Sequence, residues 1–113
     1  MDHNKELWEV EEQFVSQEIE RTRNGVLPCT DHAKRRMAQR RVAYKDLRTL
    51  LLHGGIREGY AAGKYPRGPE PFKNRHAVRT MSLTLNGITL TAGIAMDYTM
   101  HRVEFSVITV YWE

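Results

Sequence analysis

The sequence has almost no cysteine and no long apolar run. Cys29 is the single cysteine, so it can form neither an internal disulfide nor a Cys-x-x-Cys metal or redox motif. No apolar stretch approaches the roughly 20 residues that a membrane-spanning helix needs. The first six residues are too polar and acidic for a signal peptide. We therefore expect a cytoplasmic protein that has no contact with a membrane.

The chain also lacks the length for two cores and the residue spacing for a metal site. Its 113 residues suffice for one ordinary domain. His3, His53 and His101 have no ligand partner at a spacing typical of metal sites. We expect no metal and no other cofactor.

Acidic residues are scarce in most of the chain. Residues 1–24 contain seven acidic and three basic side chains, and the remaining 89 residues contain seven acidic and fourteen basic ones. A body with a net charge of +7 attracts polyanions, among which nucleic acid is the commonest partner. A basic surface that only improves solubility is the other interpretation.

The N-terminal segment, residues 2–22, has the apolar spacing of an amphipathic helix. We treat residues 1–24 as an acidic helix added to an α+β domain of residues 25–113. Packing of this helix on the domain is the preferred interpretation. It would otherwise cover and neutralise the basic body, or form a homodimer contact through one of its apolar stripes, which contains Leu7, Val10 and Phe14.

Two short helices follow in the predicted domain. Thr30 or Asp31 is the expected N-cap of a helix that ends near Arg40. A second helix, over residues 42–53, is indicated by the spacing of its leucines and by the Gly54-Gly55 pair that ends it. We expect these two helices to form a helical hairpin.

The rest of the chain predicts an antiparallel sheet of three to four strands. Residues 56–60 suit a short strand, and the glycine- and proline-rich residues 61–71 form a long loop, which favours a functional role. Residues 76–112 predict three strands, with a type I′ turn at Asn86-Gly87. Because residues 103–112 are apolar on both faces, we expect this strand at the centre of the sheet.

The segment Thr30–Arg41 carries the pattern that is most informative about chemistry. His32, Arg36 and Arg40 recur every four residues, so on the predicted helix of about residues 32–40, the second in the chain (α2), they form one stripe, called here the α2 stripe. RNA cleavage without a metal needs a proton acceptor, a proton donor and cations that stabilise the transition state. A histidine in a first helical turn beside arginine is favoured in its neutral form. A solvated face with a helix-start histidine is the alternative interpretation.

Three segments resemble the domain of unknown function 4258 family. They are residues 32–42, with the spacing His-Ala-x-x-Arg-Met-x-x-Arg, residues 54–60 and residues 107–111. The resemblance spans about Thr30 to Tyr111. The family is similar in turn to RelE-like and BrnT-like toxins of bacterial toxin–antitoxin systems. It therefore implies a RelE/barnase-like fold, metal-independent RNA cleavage and a cognate antitoxin as partner.

The resemblance also implies roles for particular residues. It implicates the α2 stripe, together with Glu58, Tyr60, Thr109 and Tyr111. Family members often carry a histidine on the strand after the central hairpin, where this chain has Thr91. His76 or Tyr111 would then supply the second proton-transfer group.

Further basic and aromatic residues are candidates for RNA binding. Lys73, Arg75, His76 and Arg79 place four basic groups within seven residues, and next to the α2 stripe they would complete a phosphate groove. An exposed strand entry that needs charge for solubility is the alternative. Tyrosines such as Tyr60 and Tyr111 would stack on unpaired bases, although core packing is the preferred interpretation for Tyr111.

The sequence as a whole predicts a toxin-type ribonuclease acting on RNA, free or on the ribosome. The predicted catalytic residues are His32, Arg36, Arg40 and Tyr111. The predicted nucleic-acid-binding residues are Arg35, Tyr60, Lys73, Arg75, His76, Arg79 and Thr109. The alternative is a non-catalytic module that binds RNA or a protein in the same basic groove.

Overall fold

The chain folds into three helices and a four-stranded antiparallel sheet. A computed structural model describes residues 4–22, 26–67, 75–99 and 103–113. The helices are α1 (Lys5–Arg21), α2 (Asp31–Arg40) and α3 (Tyr44–His53), and the strands are β1 (Gly55–Tyr60), β2 (Ala77–Leu85), β3 (Ile88–Tyr98) and β4 (Val103–Trp112). The strand order is β1-β2-β3-β4. The predicted α+β class is confirmed.

Local sequence signals explain where most of these elements begin and end. The Thr30 hydroxyl accepts a hydrogen bond from the backbone N–H of Ala33 at 3.1 Å, so Thr30, rather than Asp31, is the N-cap of α2. Arg41 ends α2 in the left-handed conformation, at φ 54°. Asn86 and Gly87 have φ values of 51° and 84°, which agrees with the predicted type I′ turn.

The core lies between one face of the sheet and the three helices. Its helical side chains include Val15 and Ile19 of α1, Met37 of α2 and Leu50 of α3. α2 packs mainly on β4, whereas α3 packs mainly on α1. The predicted hairpin of α2 against α3 is therefore not the main packing of either helix.

β4 is an edge strand, so the prediction that it occupies the centre of the sheet is wrong. Its apolar character arises because both of its faces are covered. The free edge is also partly occupied: Val107 donates its N–H to the Pro28 carbonyl at 2.7 Å and accepts from the Thr30 N–H at 3.0 Å. Cys29 lies between them, and burial raises the pKa of its thiol to about 11. The thiol is therefore protonated at neutral pH.

α1 packs on the domain through a buried ion pair as well as apolar contacts. The Arg79 Nε donates to Glu11 Oε1 at 2.8 Å, with both side chains nearly inaccessible to solvent. The Tyr98 hydroxyl donates to the other Glu11 oxygen. Phe14 contacts Phe105 edge to face at a centroid distance of 6.0 Å, while Val10 stays 63% exposed. The preferred interpretation, packing on the domain, agrees with these contacts.

Within the described ranges, none of the helices has the length and apolar character needed to cross a membrane.

Removing one partner of the Glu11–Arg79 ion pair should strongly destabilise the folded protein. Arg79→Met leaves a buried carboxylate without its cation, so we expect the free energy of unfolding to fall by about 3–5 kcal/mol. Urea denaturation followed by circular dichroism measures this loss. The double variant Glu11→Met/Arg79→Met should lose clearly less than the sum of the two single variants. Additive losses would show that the two side chains contribute independently.

Candidate functional site

The face of the sheet opposite the core, called here the polar face, carries a series of hydrogen-bonded polar side chains. Thr84 pairs with Thr89 at 3.0 Å between hydroxyl oxygens, and Ser82 pairs with Thr91 at 2.8 Å. The Thr80 hydroxyl donates to Glu58 at 3.1 Å. The alternation of side chains along β2 therefore places threonine and serine on this face.

Side chains from the two edges of the sheet meet over this polar face. Arg57 of β1 donates to both carboxylate oxygens of Glu113, which follows β4, at 2.9 and 2.8 Å. β1 and β4 lie at opposite edges, so the two long side chains together span the two strands between them. The hydrogen bonds from Arg57 are the main cause of a lowered Glu113 pKa. Glu113 is therefore ionised at neutral pH.

Residues 61–67, called here the 61–67 loop, lie on the polar face and are held there by Tyr65. Tyr65 is the only buried residue of this loop, at 3% exposure, and it packs with Val78, Ala95 and Ile108. Its hydroxyl has no hydrogen-bond partner among the described residues. An unpaired buried hydroxyl costs about 1–3 kcal/mol, similar to the roughly 1.5–3 kcal/mol gained by burying a large apolar side chain.

Gly93 makes room for the Tyr65 ring. A Cβ atom at this position would lie 2.5 Å from the Tyr65 hydroxyl and 2.9 Å from Cγ2 of Thr109, distances that real Cβ contacts do not reach. Glycine is required here because a side chain and the β3 backbone approach each other so closely.

Arg67, at the end of the 61–67 loop, covers the ring of Tyr111. Its guanidinium carbon lies 4.4 Å from the ring centroid, a cation–π contact worth about 0.5–1 kcal/mol at an exposed site. Burial raises the pKa of the Tyr111 hydroxyl, and the positive charge of Arg67 partly opposes this shift. Tyr111 is therefore a neutral phenol at neutral pH.

A groove next to Tyr111 joins the polar face to the end of α2. It is lined by Arg40, Arg67, Tyr111, Trp112 and Glu113, and is called here the groove. Arg40 donates to the Val110 carbonyl at 2.6 Å, and the Trp112 indole donates to the Arg40 carbonyl at 3.1 Å. These two hydrogen bonds attach the C-terminal end of α2 to β4, which sets the position of the Arg40 side chain.

The α2 stripe runs away from this groove along the edge of the sheet. His32, Arg36 and Arg40 are all partly exposed, and Arg36 donates to Gln39 at 3.0 Å. The pKa of His32 is lowered from 6.5, first by partial burial and then by the charges of Arg36, Arg35 and Arg40. This direction agrees with the predicted neutral imidazole.

The structure separates part of the predicted catalytic set. Arg40 and Tyr111 line the same groove. His32 is eight residues before Arg40, which corresponds to about 12 Å along the helix. The N-cap of α2, two residues before His32, is bonded to Val107. His32 and Tyr111 therefore lie beside different parts of β4.

The predicted RNA-binding residues are more widely scattered. Arg35 is exposed on α2, and Tyr60 lies on the polar face beside Tyr65, with 5.3 Å between ring centroids. Burial and a hydrogen bond with Glu58 raise the pKa of the Tyr60 hydroxyl. Thr109 is only 4% exposed, so it offers no free surface for RNA.

Two of the predicted basic residues at the entry to β2 lie beside acidic side chains. Arg79 is buried in its ion pair with Glu11, which removes it from any surface. Arg75 is exposed, and His76 lies 4.0 Å from the Asp97 carboxylate. Ala77 pairs with Met96, five residues along β3 from Thr91, which pairs with Tyr111, so this end of the sheet lies about 17 Å from the groove. Lys73 lies outside the described residues.

Sequence reasoning missed Arg67, Trp112 and the Arg57–Glu113 pair. The length of the loop after β1 was a signal that it has a role, yet nothing in its composition indicates that Arg67 reaches Tyr111. The pairing of Arg57 with Glu113 joins residues 56 positions apart across the two central strands of the sheet. In the part of the chain that is described, no three His, Cys, Asp or Glu side chains are arranged to hold a metal ion.

A family model described as a domain of unknown function, DUF4258, matches residues 29–112. The match covers α2, α3 and all four strands and begins after α1. No match was found among curated proteins or among solved structures.

The protonation of His32 should reveal its basic surroundings. We expect an NMR titration to give His32 a pKa below 6.5, and Arg36→Gln to raise that pKa while leaving it below 6.5, since burial is the larger cause. Arg21→Gln should leave it unchanged, because Arg21 is not among the charges that lower the His32 pKa. An unchanged pKa in Arg36→Gln would contradict this electrostatic coupling.

The same lowered pKa has a consequence for stability. Between the folded and the unfolded pKa of His32, the unfolded chain binds more protons, so stability falls as the pH drops below about 6.5. His32→Gln should therefore lose less stability than the wild type between pH 7 and pH 5, as measured by urea denaturation at both pH values. Equal losses would contradict this linkage.

Filling the space above Gly93 should strain the site. Gly93→Ala is expected to lower the free energy of unfolding by about 1–3 kcal/mol, because the new methyl group overpacks the interior. Adding Tyr65→Phe should recover part of this loss, since the hydroxyl is the closest atom. Thermal unfolding of both variants measures the recovery, and its absence would show that Tyr65 is not the cause of the strain.

Proposed function

Since the chain belongs to the domain of unknown function 4258 family, whose name assigns no activity, we propose its function from the geometry. We propose a toxin-type, metal-independent ribonuclease that holds single-stranded RNA along the α2 stripe and in the groove. The supporting observation is that one exposed stripe, starting at a histidine with a lowered pKa, ends at a groove where Arg40 and Arg67 flank Tyr111.

In this proposal the reaction takes place at the start of α2. A neutral His32 accepts the proton of a ribose 2′-hydroxyl, whose oxygen attacks the adjacent phosphorus. The bond to the 5′-oxygen breaks, a 2′,3′-cyclic phosphate forms, and the leaving oxygen takes a proton from solvent. Arg36, one helical turn away, stabilises the charge on the phosphate oxygens.

The groove has a separate task in the proposed mechanism. Arg40, Arg67 and Tyr111 hold a neighbouring nucleotide, so they position the strand without transferring a proton. This division follows from the distance of about 12 Å between the ends of the α2 stripe. It replaces the expectation that His32 and Tyr111 act on the same phosphate.

The proposed setting is a toxin–antitoxin pair in the cytoplasm. A partner with an acidic segment would cover the α2 stripe by charge complementarity and so block RNA. The net charge of +7 after residue 24 favours such a partner and an RNA substrate alike.

A non-catalytic binding module is the second candidate. The separation of His32 from Tyr111 favours it, because the two predicted proton-transfer groups lie beside different parts of β4. Such a module would bind RNA or a protein through the same stripe and groove and would break no bond.

Induced expression in a bacterial host tests the two candidates. The wild type should arrest growth and degrade cellular RNA, and the purified protein should cleave single-stranded RNA in the presence of EDTA. His32→Ala should lower the cleavage rate by about 10²–10⁴-fold, the usual contribution of a general base, and Arg36→Ala should also impair it.

Arg21→Ala is the matched control, since Arg21 is an exposed arginine on α1 with one ion pair to Glu18. It should behave like the wild type. If the wild type binds RNA but leaves it intact, the binding module is the correct function. If the wild type neither binds nor cleaves RNA, both RNA-based candidates fail.

A further inference from the structure

We propose that the 61–67 loop is a strap that covers one ring face of Tyr111 in the free protein and must lift before an RNA base can stack there. This inference concerns the regulation of the proposed RNA site and therefore rests on the proposed function. It depends on two contacts of the loop: the buried Tyr65 ring and the Arg67 guanidinium above Tyr111.

The loop touches the sheet at few points. Residues 61–64 and residues 66 and 67 are exposed, and Tyr65 alone is buried. The backbone hydrogen bond from Lys64 to Ala61 lies within the loop itself, so it persists when the loop moves as a unit. Gly63 has a φ of 83°, which allows a sharp turn at this position. Docking of the loop therefore depends mainly on one ring and one guanidinium.

The docked state is held only weakly because Tyr65 is an imperfect anchor. Its ring is buried among apolar side chains, but its hydroxyl has no hydrogen-bond partner among the described residues. Lifting the loop returns this hydroxyl to water, where it is fully hydrogen-bonded. The cost of the unpaired hydroxyl offsets much of the gain from burying the ring. An equilibrium between docked and lifted states follows from this balance.

The docked loop covers one face of the Tyr111 ring, on which an RNA base would stack. Arg67 lies on the ring of Tyr111, and both residues line the groove together with Arg40. With the loop docked, no base can stack on that ring face. When the loop lifts, the ring becomes accessible and Arg67 is free to contact a phosphate. The apparent RNA affinity is then reduced by the fraction of protein in the docked state.

Changing the anchor tests the strap directly. Tyr65→Phe removes the unpaired hydroxyl and keeps the ring, so it should favour the docked state. The peptide bond after Lys64 ends at the buried Tyr65, so we expect trypsin to cut it mainly in the lifted state and at least about fivefold more slowly in Tyr65→Phe. Tyr65→Ala should accelerate this cut. Tyr44→Phe, which alters an exposed tyrosine on α3, should leave the rate unchanged.

RNA binding tests whether the strap controls the groove. A 2′-O-methylated single strand cannot undergo attack by the 2′-oxygen, so it reports binding alone. Its affinity should fall in Tyr65→Phe by the same factor as the trypsin rate and rise in Tyr65→Ala. Circular dichroism and thermal unfolding establish that each variant is folded. If Tyr65→Ala does not fold, the conservative variant Tyr65→Phe is sufficient to test the proposal.

The outcomes separate the strap from the proposed function. An unchanged trypsin rate in Tyr65→Phe overturns the strap. A slower cut with unchanged RNA affinity overturns its control of the groove and leaves the proposed RNA function standing. If no variant binds RNA, both the proposed function and the gating fail, even where the trypsin rates show that the loop moves.

Discussion

The hydrogen bonds between residues 28–30 and Val107 determine where α2 stands on the sheet, and the candidate site depends on that placement. Thr30 takes part twice: its N–H donates to the Val107 carbonyl, and its hydroxyl caps the first turn of α2. The helix therefore starts at a defined point on the edge of β4. At its other end, Arg40 donates to the Val110 carbonyl and the Trp112 indole donates to the Arg40 carbonyl. The α2 stripe is positioned by contacts at both ends.

The same placement explains how an edge strand can be as apolar as a central one. α2 and the core cover one face of β4, while Tyr65 covers part of the other. The lateral hydrogen-bonding groups of Val107 and Val110 are satisfied by residues 28–30 and by Arg40. An edge covered in this way offers less backbone to another chain. The contacts that cover the edge of β4 therefore also set the geometry of the site.

The distribution of charge between α1 and the rest of the chain has a structural use. Glu11 enters the interior as the partner of Arg79, and Glu12 accepts the backbone N–H of Ile56 at 2.7 Å. The acidic helix therefore satisfies polar groups at the β1 and β2 side of the sheet. The α2 stripe lies beside β4, at the other edge, and its cations are not neutralised by these two glutamates.

Sequence reasoning worked best where the signal was local. An N-cap at Thr30 or Asp31, the Asn86-Gly87 turn and the repeat of the α2 stripe depend on neighbouring residues, so composition and spacing suffice to predict them. Sequence reasoning failed for β4 because apolar residues on both faces of a strand indicate that both faces are covered. They do not indicate how many strands lie alongside it. Sequence reasoning also placed Arg79 in a phosphate groove, since a basic residue in a basic cluster gives no sign that an acidic partner 68 residues away buries it.

The sequence by itself determined the elements of this protein, its α+β class, its family and its basic character, because these follow from short-range preferences and composition. Only the tertiary structure decided which basic residues stay at the surface, where the groove lies and that Arg67 covers Tyr111. Those features join residues far apart in the chain, and they arise from the order of the strands in the sheet and from one buried ring over Gly93.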